Sequence, residues 1–176
     1  MRKHNFFPGP ATLPFEVIQE ASAGLLDYNG MGVSIAEISH RSPIFTDLLD
    51  EANALVKKLY GLSDDWAVLW LPGGASSQLT VAPMNLTEPT DKIAFVDTGF
   101  WAGRAIDAAA NEANAFFLAS SKDTNYDRIP KITDVQGARY LHVVSNETID
   151  GTQYHEFPEV DVPLVADMTS DFLTRP

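Results

Sequence analysis

The stretch Ile93-Ala94-Phe95-Val96-Asp97-Thr98-Gly99-Phe100-Trp101 changes its period half-way. Four consecutive apolar residues come first, the pattern of a short strand buried on both faces. Gly99 interrupts it, and residues 101–111 carry helical spacing. The same unit recurs on either side. Upstream, Ala67-Val68-Leu69-Trp70-Leu71 predicts another buried strand, broken by Pro72-Gly73-Gly74, with a helix over 75–84 interrupted near Pro83. Downstream, residues 115–118, 140–144 and 164–166 predict further strands. Strands alternating with helices imply an α/β fold with a mostly parallel sheet.

The N-terminal region reads differently. Residues 5–13, with Pro8, Gly9 and Pro10, predict an extended arm, and Pro14 suits the first turn of a helix. Phe15, Ile18, Ala21, Ser22 and Leu25 fall at helical spacing, and Asn29-Gly30 and Gly32 end that helix. A second helix begins after Ser42, with Ser42 as N-cap and Pro43 at the first helical position. Phe45, Leu48, Leu49, Ala52, Leu55, Val56 and Leu59 predict its buried stripe, and Gly61 its stop.

Composition narrows the function classes. Of 176 residues, 45% are hydrophobic and 20% charged, a globular balance. A net charge of −12 argues against nucleic-acid binding, which needs a basic face, while leaving room for an anionic substrate in a locally positive pocket. The absence of cysteine excludes disulfides and thiolate metal sites. With no apolar run long enough for a membrane span and no signal core after Met1-Arg2-Lys3, the expected location is the cytoplasm. The chain stops at Thr174-Arg175-Pro176, soon after a buried-looking strand and with no closing helix, which predicts a truncated domain.

Five segments offer chemistry. Gly73-Gly74-Ala75-Ser76-Ser77-Gln78 opens a helix: glycines allow close approach of the backbone, and the first N–H groups favour a phosphate. It lacks the Gly-Lys-Ser/Thr ending of a P-loop, and a plain tight turn with serine caps fits it as well. Trp101 follows a strand and can stack on a flat ring, or simply fill a core. Asp167 directly follows an apolar strand and can keep a pyridine nitrogen protonated, or cap a turn. Arg41, in Ser39-His40-Arg41-Ser42, can grip a carboxylate or phosphate through two parallel hydrogen bonds, with His40 as a further donor; a solvated loop is the alternative. Thr148, in Asn146-Glu147-Thr148-Ile149-Asp150-Gly151, can bond a ligand oxygen or belong to a polar turn. Four of the five follow predicted strands. Together they provide an anion cradle, a stacking ring and a ring-nitrogen partner, the set that pyridoxal phosphate (PLP) requires.

These motifs resemble, in order and nearly end to end, those of phosphoserine aminotransferases in the class V branch of the PLP aminotransferase fold. Asn5-Phe6 through Leu13-Pro14, Tyr28-Asn29-Gly30-Met31-Gly32 with Ser34, Glu37 and Ser39-His40-Arg41, the 71–78 loop, Asp97 to Trp101 and Asn146 to Gly151 all take part. The resemblance implies an arm over 1–15 and, over 16–176, part of the PLP-binding large domain, with the small domain absent. It implies that Ala75 and Ser76 bind the cofactor phosphate through backbone N–H groups. Trp101 would stack on the ring, Thr148 bond the cofactor and Asp167 pair with the ring nitrogen. Arg41, with His40, would bind the acidic substrate. The implied reaction moves an amino group between glutamate and 3-phosphohydroxypyruvate, giving phosphoserine and 2-oxoglutarate in serine synthesis and, in some bacteria, pyridoxine synthesis. The implied assembly is a homodimer. Two departures stand out. Pro8 occupies a position where some members carry serine. The Schiff-base lysine of the family falls beyond Pro176, and none of Lys3, Lys57, Lys58, Lys92, Lys122 or Lys131 lies in a matching context, so the 176-residue chain alone is expected to be inactive. Two other readings compete: a class V aminotransferase of different substrate choice, and a non-catalytic chain that binds a phosphorylated ligand or a partner.

Overall fold

The computed structural model describes residues 2–7, 9 and 11–175. Pro8, whose departure from the family is noted above, lies outside the described residues, as do Pro10 and Pro176. Contacts divide the chain into two units, one ending at Val68 and one spanning Leu69–Arg175.

In the first unit, α1 spans Phe15–Leu26 and α2 Pro43–Tyr60. The capping of α2 follows its sequence. The Ser42 hydroxyl accepts from the Phe45 N–H at 3.2 Å, Pro43 opens the helix, and Gly61 closes it at φ 61°. Its apolar stripe is not buried as expected: Val56 alone is buried, and Leu55 and Leu59 remain half exposed. The reason is that a helical stripe only marks a face; burial needs a second surface, and this unit has no buried residue on α1 to supply one. Between the helices, Ser34 and Glu37 form a reciprocal capping box around a single 3₁₀ turn, Ile35–Glu37.

The second unit holds α3, Gly74–Leu86, and α4, Phe100–Ala109, with strands β1, Lys92–Asp97, β2, Asn114–Ser120, β3, Tyr140–Val144, and β4, Leu164–Asp167. All three pairings are parallel, in the order β2-β1-β3-β4. The sheet is buried because side chains of β1 alternate between two cores. Ile93 and Phe95 pack with Tyr140 and with Ala105 and Ala109 of α4. Ala94 and Val96 pack with Leu141, Val143 and Tyr154 on the other face.

Two expectations fail here. Residues 67–71 form no strand, and Leu69 and Trp70 are well exposed. An apolar run becomes a strand only where a neighbour takes its backbone hydrogen bonds, and β2 and β4 close the described sheet without it. The helix over 75–84 is also not interrupted. α3 runs through buried Pro83 to Leu86, its final turns reinforced by Asn85 Nδ2 to Val81 O at 2.8 Å and Thr87 Oγ1 to Pro83 O at 2.8 Å.

Candidate active site

Because the strands are parallel, their carboxyl ends share one edge. Asp97 ends β1, Ser145 to Thr148 leave β3, and Asp167 ends β4 in register with Val144. The chain passes from β1 through α4 to β2 on one side, then returns to place β3 on the other. The β1–β3 junction is therefore a topological switch point, where α/β sheets open a crevice for ligands.

A cleft of about 280 Å³ runs between α3 and the sheet and reaches this edge at Asp167; it is lined by Ala75 and Gln78 of α3, Phe95 of β1, Tyr140 and His142 of β3, and Asp167. His142 is the residue that sequence reading missed. It is nearly buried, its ring lies 4.8 Å from that of Phe95, and its Nδ1 has no hydrogen-bond partner. Burial pushes its imidazole down to about 4, with the Asp167 carboxylate pulling weakly the other way. A neutral, donor-capable ring in the cleft wall is the result. The available signal was one polar residue in the apolar run Tyr140-Leu141-His142-Val143-Val144.

Asp167 holds a turn with one oxygen: Oδ1 accepts from Thr169 N–H at 3.0 Å and from Thr169 Oγ1 at 2.5 Å. Asp167 also lines the cleft. The turn-capping reading of this residue is thus met by its bonds to Thr169.

Trp101 and Thr148 meet, the indole Nε1–H donating to Thr148 Oγ1 at 3.0 Å. The indole is about one-third exposed and packs edge-on against Phe100 at 5.0 Å. The segment expected as an anion cradle follows a turn and not a strand end, so three of the five segments, not four, follow strands. Ala75 is partly buried at the first turn of α3 and Ser76 is exposed. The Ser77 hydroxyl donates to Gly73 O at 3.0 Å. Gly73 has φ 93°, and a Cβ there would sit 2.3 Å from Ser77 Oγ, so the turn requires glycine. The structure places Arg41 and His40 in the other unit, exposed, with Arg41 N–H bonded to Ser39 Oγ at 3.2 Å. No group of three or more metal-ligating side chains occurs among the described residues.

The aminotransferase class-V profile matches residues 4–176. The chain belongs to the class-V aminotransferase family. Among curated relatives, a phosphoserine aminotransferase of Desulfatibacillum aliphaticivorans is 46% identical over 99% of this chain and 49% of its own length. That of Bacillus subtilis is 43% identical, with the same coverage. This class-V aminotransferase chain therefore spans about half the length of the relatives it matches. Its fold agrees with solved members. Phosphoserine aminotransferase from Bacillus circulans subsp. alkalophilus superposes with a TM-score of 0.94 at 41% identity, covering 99% of this chain and 50% of that one. The enzyme from Trichomonas vaginalis, described as PLP bound, gives 0.89 at 30%, covering 99% and 53%. An alanine–glyoxylate aminotransferase from Nostoc, 17% identical with a TM-score of 0.64, shares the fold.

Proposed function

We propose that this chain is the cofactor-binding part of a phosphoserine aminotransferase, moving an amino group between glutamate and 3-phosphohydroxypyruvate in serine synthesis. The observation that carries the reading is that Asp167 and the Trp101–Thr148 pair follow the carboxyl ends of neighbouring parallel strands, with the orphaned His142 nitrogen in the wall of the cleft that Asp167 lines. Sequence identities of 43–46% to phosphoserine aminotransferases support the substrate choice.

The residues present fit pyridoxal phosphate. A glycine-only turn precedes the N-terminus of α3, where the Ala75 and Ser76 N–H groups hold a phosphate with the helix dipole behind them. Asp167 keeps the ring nitrogen protonated, Trp101 covers a ring face, and Thr148, whose oxygen already accepts from the indole, donates its own proton to a cofactor oxygen. Bound PLP supplies an electron sink for the substrate's α-carbon electrons. Arg41 and His40 take the substrate's acidic groups, Arg41 by two parallel hydrogen bonds. Within this reading the working enzyme is a cytoplasmic homodimer.

Transamination also needs a lysine to hold the cofactor and shuttle the proton. Lys92 opens β1 at the far end from Asp97, and Lys57 and Lys58 lie on α2. The purified 176-residue chain supplied with PLP, glutamate and 3-phosphohydroxypyruvate will form no 2-oxoglutarate. Turnover free of host enzyme contradicts this assignment of the lysine. In the same preparation, calorimetry should show phosphoserine binding that Arg41→Ala weakens by about tenfold or more, the value of one charged bidentate contact. Equal binding by the variant removes Arg41 from the site.

A further inference from the structure

The N-terminus of α4 has no cap of its own. Its capping position is Gly99, which has no side chain to offer. The first three N–H groups of the helix are nonetheless all taken, and by one distant loop. Phe100 N–H donates to Asp150 Oδ2 at 2.7 Å, Trp101 N–H to Glu147 Oε2 at 2.9 Å, and Ala102 N–H to Glu147 Oε1 at 2.9 Å. Glu147 is fully buried, and Thr98 Oγ1 adds a longer contact at 3.4 Å. The loop is itself closed: Glu147 N–H donates to Thr152 O and Gly151 N–H to Glu147 O, both at 2.8 Å, while Thr152 Oγ1 donates to Thr98 O at 3.1 Å. The residue after Glu147 is Thr148, which holds the indole of Trp101.

We propose that Glu147 is a positioning residue: by gripping the Trp101 and Ala102 amides from the loop that carries Thr148, it fixes the indole and the Thr148 hydroxyl in one orientation at the sheet edge. The proposal rests on the PLP reading only for the ligand; the geometry of Trp101 is tested without it. A carboxylate is required because both oxygens accept. An amide of the same shape turns its NH₂ group toward a backbone N–H and leaves that donor unpaired in a buried place. Burial pushes the Glu147 carboxyl above its ordinary value, and the Trp101 and Ala102 amides oppose that rise. Trp101 is thereby held at its backbone by one residue and at its ring by the next.

The test uses the full chain with Trp66→Phe and Trp70→Phe, so that Trp101 is the only indole. Near-UV circular dichroism and acrylamide quenching report its order, and titration with PLP alone reports binding. Glu147→Gln should lose the indole dichroism band, gain quenching, and weaken PLP binding by about tenfold, one lost hydrogen bond to a charged group. Cooperative melting should persist. Glu147→Asp, which keeps the charge but withdraws it by one methylene, should fall between. Unchanged dichroism and quenching in Glu147→Gln overturn the proposal. So does a variant that no longer melts cooperatively, which makes Glu147 a folding residue. If the parent chain shows no PLP binding while Trp101 still loosens in the variant, the cofactor reading falls and the positioning role stands.

Discussion

At the residue scale, the site depends on groups whose value is visible only with their neighbours. Gly99 has φ 152°, and a Cβ there would lie 2.3 Å from Asp150 Oδ2 and 2.9 Å from the Glu147 carboxyl carbon. Gly99→Ala must therefore push away the loop that caps α4, and should lower the unfolding free energy by about 2 kcal/mol or more in urea denaturation. His142 makes stability depend on acid. Its folded value of about 4 lies below the ordinary 6.5, so the unfolded chain takes up the proton first. The contribution is complete above pH 6.5 and is lost as pH falls through 6.5 toward 4, about 3 kcal/mol in all. Replacing His142 by Gln removes this dependence, so the stability gap between parent and variant should shrink or reverse between pH 7 and pH 4.5. A gap that stays constant means that His142 is not buried neutral. The placement of Asp167 was legible in the sequence because it directly follows an apolar run, and that of Thr148 because its loop leaves another. The partnership of Glu147 with Trp101 was not, since it spans 46 positions and no local pattern encodes it.

At the element scale, sequence reading succeeded where a signal is local. Ser42-Pro43 and Gly61 bound α2, and the run 140–144 coincides with β3. Ser42→Ala should cost about 1 kcal/mol through loss of the bond to Phe45 N–H, read as a shift in denaturation midpoint with unchanged slope. Reading failed where an element is defined by a partner. Residues 67–71 have strand composition and no paired neighbour in the described sheet, and most of the stripe on α2 is left exposed or only partly covered. Pro83 misled in the opposite direction: its missing N–H costs one helical bond, which its buried position and the side-chain bonds of Asn85 and Thr87 offset locally.

At the scale of the whole molecule, well-packed strands coexist with a broad apolar exterior. Leu25, Leu26, Leu69, Trp70 and Leu71 are all at least half exposed, on a chain of 19.3 kDa. Such surface favours association. Light scattering at micromolar concentration should report species larger than one chain, shifting toward the monomer on dilution; a strictly monomeric sample contradicts the homodimer reading for this chain. The most direct test of the account is a fluorescence titration of the chain with PLP, run beside Asp167→Ala and Trp101→Phe. The account predicts saturable quenching of Trp101 in the parent, absent in Trp101→Phe and shifted to about tenfold higher PLP in Asp167→Ala, the loss of one ion-paired hydrogen bond. Quenching that never saturates, or that proceeds identically in Asp167→Ala, would contradict it.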